Sequence, residues 1–321
     1  MKLRSIDLFA GIGGIRIGVH QAAKKKKFEY QNVFTSEIDK YCIETYKNNF
    51  GEDDIYGDIS LISDEEIEKI PNHEILLAGF PCQPFSQAGL KGGFDDTRGT
   101  LFFDILRILK IKKPKCFLLE NVKNLKGHDG GRTLQVILSS LRQMYYVPEP
   151  QVLNAKDFGV PQNRQRIFIV GFLKKHLHKE FKFPKPKNKT TLVSDILQKE
   201  ETIDKKYTIS DRLWSGHKRR KRENKLKGKG FGYGLFYPDS SYTNTISARY
   251  YKDGSEVLIS RGDGKNPRKL TPRECANLQG FPKSFKLNKS DNQAYRQFGN
   301  SVSVPVIRAI ALKMIDFIKK K

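Results

Sequence analysis

The chain has 321 residues, 38% of them hydrophobic, which is enough for one large domain plus a smaller one with a full core. A total of 59 Lys and Arg against 35 Asp and Glu leaves a formal charge of +24, which suits a polyanion such as nucleic acid but does not by itself require one. The four cysteines (Cys42, Cys82, Cys116, Cys275) form no CxxC pair, and neither a secretory leader nor a bilayer-length apolar run is found; disulfides, a structural zinc site and a membrane span are disfavoured, and a soluble, cytoplasmic protein is expected.

Leu3–Phe9 reads as a first strand running into Ala10-Gly11-Ile12-Gly13-Gly14. Glycines between a first strand and a helix let a ligand approach the backbone closely, and Phe9 would favour a flat adenine ring. The turn alone fits a dinucleotide, a flavin or S-adenosylmethionine equally well. Val33–Asp39 is a second strand ending in acids, which either accept ribose hydroxyls or cap the next helix. A third short strand is expected before Gly57-Asp58-Ile59, where Asp58 is either an adenine-amine acceptor or a turn residue. Ile75–Ala78 is a fourth, buried strand, stopped by Gly79-Phe80-Pro81-Cys82-Gln83-Pro84-Phe85-Ser86. Ligands of open α/β sheets bind at such carboxyl ends, so Cys82 is placed as a nucleophile would be; a Pro-Cys in isolation reads rather as an inert buried cysteine, and it is the motifs further along that favour the nucleophile.

The loop Gly89–Gly99 carries Gly92-Gly93 with Lys91 and Arg98, as a segment closing on a phosphate-bearing substrate would. A helix is predicted over Leu101–Lys110. Cys116–Val122 is predicted as a fifth, central strand, its almost wholly apolar run ending in Glu120, where partial desolvation suits an acid or hydrogen-bond donor near Cys82, the other reading being an acid that caps a nearby helix. Leu134, Ile137, Leu138 and Leu141 mark an amphipathic helix, and Ala155–Arg166 leads into the strand Ile167–Gly171. Alternation would put Arg164 and Arg166 on one strand face, able to hold a phosphate or to pair with Glu120 and a base carbonyl, or else to form surface salt bridges.

From about Lys174 to Pro267 the chain is lysine-rich and reads as irregular, with the basic run His217–Arg222, the Gly/Lys/aromatic segment Gly228–Gly234 and the polar segment Tyr242–Lys252. That mixture suits contact with phosphates and base edges. Thr271, Pro272 and Glu274 predict a capping box opening a helix. Ile307, Ile310 and Met314 share one face of a last helix, apolar enough to return to the first domain.

Taken as an ordered set, Asp7–Gly14, Gly79–Ser86, Glu120-Asn121-Val122, Gln162–Arg166, Arg273–Ala276 and Gly299–Val302 resemble the C5-cytosine DNA methyltransferases of bacterial restriction–modification systems, the small enzymes of the HhaI-methylase kind being nearest in length and spacing. The resemblance spans nearly the whole chain. It implies an α/β fold with a doubly wound, mostly parallel sheet that binds S-adenosyl-L-methionine, and a smaller, mostly irregular or β target-recognition domain. The boundaries expected are 1–185 for the cofactor-binding catalytic domain, 186–290 for target recognition and 291–321 for the returning C-terminal segment. It further implies a cytosine flipped out of the duplex, with Cys82 as nucleophile, Glu120 on the N3/N4 edge, Arg166 on O2, and Arg164 positioning Cys82 and the flipped nucleotide. Phe9, Gly11, Gly13, Glu37, Ile38, Asp58, Pro81, Leu101, Asn300 and Ser301 fall at cofactor positions; Ser86, Lys91, Arg98, Gln162, Arg249 and Tyr250 are expected on DNA. The implied product is S-adenosyl-L-homocysteine, with no metal, a monomer acting on double-stranded DNA, and a cognate restriction endonuclease as companion. The same motifs leave room for a tRNA cytosine-5 methyltransferase or an inactive DNA-binding regulator.

Overall fold

The computed structural model describes residues 2–51, 54–81, 101–176, 179–186 and 190–319; Cys82, Ser86, Lys91 and Arg98 lie outside the described residues. The chain divides into two compact units, one of Met1–Leu153, Gln165–Lys185 and Val306–Lys321, the other of Asn154–Arg164 and Pro186–Pro305.

The first unit is an α/β sheet domain. Its elements in order are β1 (Lys2–Leu8), α1 (Gly14–Lys25), β2 (Glu29–Ser36), α2 (Lys40–Phe50), α3 (Asp64–Lys69), β3 (Ile75–Gly79), α4 (Leu101–Lys112), β4 (Cys116–Val122), α5 (Arg132–Arg142), β5 (Tyr145–Tyr146), β6 (Gln151–Asn154) and β7 (Gln165–Leu173). The sheet order is β2-β1-β3-β4-β7-β5, with β6 also paired to β7. β2, β1, β3 and β4 run parallel, and β7 is antiparallel to β4. Ile75–Ala78 and Cys116–Asn121 are buried throughout, as strands covered on both faces must be. Ile6, Leu8, Leu76, Phe117, Leu119, Ile137, Ile167 and Ile169 belong to one core cluster.

Among the described residues the expected strand before Gly57 is not formed. Tyr56 makes only an isolated bridge to Ser36, its N–H donating to the Thr35 carbonyl (2.9 Å), so the strand leading to Pro81 is the third and Cys116–Val122 the fourth. The segment is too polar and too short to bury a strand face.

Gly13 opens α1 with φ +79°, and a Cβ there would lie 2.4 Å from the Phe50 ring and 3.1 Å from that of Tyr46. The glycine thus lets α2 pack against the turn. Gly13→Ala combines a left-handed residue with overpacking and is expected to destabilise the protein by about 2–4 kcal/mol. Urea unfolding measures this, and a change under about 0.5 kcal/mol would show that Phe50 moves aside freely.

The second unit contains α6 (Asp211–Leu226), β8 (Leu235–Phe236), α7 (Tyr250–Asp253), β9 (Leu258–Ile259), β10 (Arg268–Lys269), α8 (Pro272–Leu278) and α9 (Asp291–Asn300), followed by α10 (Val304–Ile318), which carries the chain back into the first unit. Its sheet has three two-residue strands, ordered β10-β9-β8. The basic run expected to be irregular is helical: α6 is capped by Ser210, whose hydroxyl accepts the Leu213 N–H. The predicted capping box on α8 is present, Thr271 and Glu274 each accepting the other's backbone N–H. In the first unit α10 buries Ile307, Ile310 and Met314, and Ile307 sits so close to α1 that a Cβ on Gly18 would be 2.6 Å from it.

Candidate functional site

Parallel strands end on the same side of their sheet, so β1, β2, β3 and β4 deliver their carboxyl ends together. After β1 the chain turns through Phe9 (φ 53°) and Gly11 (φ 55°), both left-handed. Nothing lies within 4 Å of where a Cβ of Gly11 would be, which leaves the backbone open to close approach. After β2, Glu37 reaches back to that turn. One carboxylate oxygen accepts the Gly11 N–H (2.6 Å) and the other accepts those of Ile38 (2.9 Å) and Asp39 (2.8 Å). Ile38 is 71% exposed, an apolar side chain standing in solvent beside a carboxylate.

The neighbouring acids do different work. Asp39 is the helix cap of α2, accepting the N–H groups of Tyr41 and Cys42. Asp58 is exposed and caps a 3₁₀ turn, accepting both the N–H and the hydroxyl of Ser60. Beyond β3, Phe80 is buried and Pro81 exposed; α4 begins at the half-buried Leu101.

Gly79 at the end of β3 pairs in register with Glu120 on β4. Glu120 is buried, and one of its oxygens lies 3.2 Å from Nε of Arg166, whose side chain is 18% exposed. Because β7 is antiparallel to β4, its first residues lie beside the last of β4, with Arg166 opposite Val122. Burial pulls the Arg166 pKa down from its ordinary value, and the Glu120 charge opposes that pull. A second Arg166 nitrogen donates to the Gln165 carbonyl (2.8 Å). Asn121, which has no separate role in the sequence reading, donates to the Phe80 carbonyl (3.0 Å) and so anchors the chain leaving β3. An amide next to a strand-end acid and opposite a proline-rich turn was its available signal.

Arg164 does not share a strand face with Arg166, because β7 begins only at Gln165. It belongs to the second unit, where it is buried and donates to the carbonyls of Ile246 (3.1 Å), Gly299 (3.0 Å) and Ser301. It thereby ties the Gly299–Ser301 segment to the Thr245–Ser247 segment. Asn300 is exposed and Ser301 half-buried.

Two expected DNA contacts are core residues instead. Gln162 is fully buried, donating to the carbonyl oxygens of Leu278 and of the Gln279 side chain and accepting the Ile246 N–H. Tyr250 is also fully buried. Its hydroxyl donates to the Val257 carbonyl (2.6 Å) and accepts the Leu270 N–H (2.8 Å), and its ring packs edge-on against Tyr295. Arg249 next to it is exposed.

Of the cysteines that the structure describes, Cys116 and Cys275 are fully buried, and burial pushes both thiols well above the ordinary range. Neither can supply a thiolate at neutral pH. Cys42 is half-buried on α2.

Comparison with known proteins gives a family and a fold. The C-5 cytosine-specific DNA methylase model matches residues 3–316. The chain is 63% identical over 309 residues to the Type II methyltransferase M.NlaX of Neisseria lactamica, covering 96% of this chain and 95% of that one. It is 59% identical to the Type II methyltransferase M1.ScrFI of Lactococcus lactis subsp. cremoris, covering 99% of this chain and 79% of the relative. Among solved structures, the Entamoeba histolytica methyltransferase EhMeth superposes with a TM-score of 0.80 at 21% identity, each chain covered in full. The S. pombe Dnmt2 methyltransferase gives 0.77 at 20% identity, covering 98% of this chain and 99% of that one.

Proposed function

The chain belongs to the C-5 cytosine-specific DNA methylases, and from that premise we propose how its residues perform the reaction and what the reaction serves. The substrate is a cytosine in a specific duplex sequence, flipped out of the helix, and the modification protects DNA from a cognate restriction endonuclease, as expected of a chain this similar to Type II methyltransferases. No described helix is long and apolar enough to cross a membrane.

The carboxyl ends of β1 and β2 suit S-adenosyl-L-methionine. Glu37 offers carboxylate oxygens to ribose hydroxyls, Phe9 and the exposed Ile38 offer apolar cover for an adenine ring, and the open backbone at Gly11 allows close approach. Gly13 shapes that turn, and Asp58 would accept the adenine amine. Pro81 and Leu101 would complete the binding set within the first unit. When bound, this cofactor supplies an electrophilic methyl group on a sulfonium sulfur.

Cytosine C5 is a poor nucleophile until its ring is converted to an enamine. The Cys82 thiolate forms a bond to C6 while Glu120 donates a proton to N3. The enamine makes C5 nucleophilic enough to accept a methyl group, which the bound cofactor would supply, leaving as S-adenosyl-L-homocysteine. A base removes the C5 proton, the N3 proton returns to Glu120, the Cys82–C6 bond breaks, and the thiolate leaves with the aromatic ring restored. Arg166 holds the cytosine O2 and orients Glu120, while Arg164 works by positioning, through the carbonyls it gathers. The buried Glu120–Arg166 pair beside the end of β3 is the observation that carries this reading. The second unit would recognise the target sequence, with Arg249 as an exposed candidate contact.

Cytosine-conversion sequencing of plasmid DNA from a host lacking its own cytosine methylation, expressing this chain, tests the function. Protected cytosines in one short repeated context are expected. Complete conversion with folded protein present would overturn the DNA reading, and tRNA would be the next acceptor to test. Glu120→Gln keeps the side-chain volume but loses the acid, and is expected to lower kcat about 10²- to 10⁴-fold while leaving cofactor affinity intact. A kcat within threefold of the wild type would remove Glu120 from the chemistry.

A further inference from the structure

Helix α6 is fixed to the second unit by one face only. On that face His217 is buried with Nε2 3.3 Å from the Asp253 carbonyl oxygen. Arg220 donates to the Asp253 carboxylate (3.2 Å) and to the Gly232 carbonyl (3.0 Å), and Trp214 packs edge-on against Tyr233 with ring centroids 4.8 Å apart. Lys221 places its ammonium 4.3 Å from the centre of the Tyr233 ring, and a Cβ on Gly232 would lie 2.4 Å from the Lys221 Cβ, so the chain after the helix packs tightly back on it. The helix is therefore a mounted element.

Its other face is exposed and carries cations. Lys218, Arg222 and Lys225 follow each other at i, i+4 and i+7 and form one stripe, flanked by Arg212 and Arg219, themselves seven residues apart; all five are exposed. Only Arg219 has an acidic partner, Glu223 at 3.7 Å, itself largely in solvent. Among the described residues no carboxylate stands within ion-pair distance of Arg212, Lys218, Arg222 or Lys225. Lys218 instead lies 5.4 Å from the Trp214 ring centre. Like charges at this spacing work against the free helix by roughly 0.2–0.5 kcal/mol per pair, so the stripe opposes the stability of the element that bears it.

A polyanion removes that conflict. The stripe from Lys218 to Lys225 spans about 10 Å along the helix axis at ~1.5 Å per residue, a length that faces about three successive phosphates of one DNA strand. The outer face carries no Asn or Gln to pair with adenine edges: beside its cations stand Ser215, Leu226 and two acids, Asp211, which accepts the Asn266 amide, and Glu223, which faces Arg219. We infer that the outer face of α6 is a phosphate-binding ledge that grips duplex DNA flanking the recognised sequence and contributes affinity independent of base sequence. This rests on the proposed reading of the chain as a DNA enzyme and extends it to a surface outside the base-reading segments.

The test is the triple substitution Lys218→Gln, Arg222→Gln, Lys225→Gln, compared with the wild type on two duplexes, one ending at the recognised sequence and one with about two turns of flanking DNA. On the long duplex the slope of log K against log salt is expected to become shallower by roughly 2–3, about 0.9 for each phosphate that the protein no longer neutralises. On the short duplex the two proteins are expected to bind alike, and the methylated sequence should stay the same. An unchanged slope on the long duplex, or equal weakening on both, overturns the ledge. A wild type that methylates no DNA cytosine sinks the underlying function instead, so the two failures are told apart. The double substitution Arg222→Gln, Lys225→Gln, which leaves the Lys218–Trp214 contact in place, provides a second reading, with an expected change of roughly 1–2 in slope.

Discussion

Cys82→Ala is expected to abolish methyl transfer, lowering the rate at least about 10⁴-fold, while S-adenosyl-L-homocysteine still binds. The size follows from the chemistry: without a bond at C6 the cytosine ring stays aromatic and C5 does not attack, and loss of a nucleophile that acts with its partners as one unit costs on the order of 10⁴–10⁶ in kcat. No other thiol whose surroundings the structure describes can replace it. Cys116 and Cys275 are sealed in the core with their ionisation suppressed, and Cys42 rides on α2 behind the glycine turn. Cofactor affinity should survive because the groups expected to hold it, Phe9, Gly11, Glu37, Ile38 and Asp58, follow β1 and β2 in the first unit. Single-turnover methylation of an unmethylated duplex, with calorimetric titration of the cofactor product, reads both quantities. Turnover by the alanine variant within tenfold of the wild type would end the covalent route.

How much of this was legible in the sequence depended on whether a signal was local. The cap at Thr271–Glu274 is a four-residue pattern whose partners are its own backbone, and it forms as read. The apolar runs at Ile75 and Cys116 needed only burial on both faces to become central strands. Glu120 and Arg166 stood out as strand-end charges and do meet. Arg164 was misplaced because alternation assumes the strand has already begun, whereas its guanidinium is claimed by carbonyls 82, 135 and 137 residues away in sequence. Tyr250 and Gln162 show the same limit from the other side. An aromatic or an amide in a polar stretch gives no local sign of being core, because its burial is decided by distant partners such as Leu270 and Leu278. Helix α6 went unread because hydrophobic periodicity cannot reveal a helix that buries so little; what fixes it is His217, Arg220 and a glycine-rich return segment.

The largest loss of stability is expected from Arg268→Ala. Arg268 is 1% exposed and Glu274 not at all, and the two make a bidentate pair, with Nη1 2.8 Å from Oε2 and Nη2 3.0 Å from Oε1. The same carboxylate accepts the N–H groups of Thr271 and Gln198, so it joins the start of α8 to a segment 76 residues earlier. Truncating the arginine leaves that carboxylate buried without its counter-charge, at a cost of about 3–5 kcal/mol. The remaining arm, Arg268 Nε to Glu200 at 2.9 Å, ends on a half-exposed carboxylate and adds little. At roughly 2–4 °C per kcal/mol, the midpoint of the second unit should fall by about 10 °C. The chain has one tryptophan, Trp214, and it lies in this unit, so its fluorescence reports the transition selectively. The double substitution Arg268→Met, Glu274→Leu removes both charges and should recover much of the loss, because the penalty belongs to the orphaned carboxylate. If the single and double variants melt together, the network's contribution lies in packing around α8 and not in the charge pair.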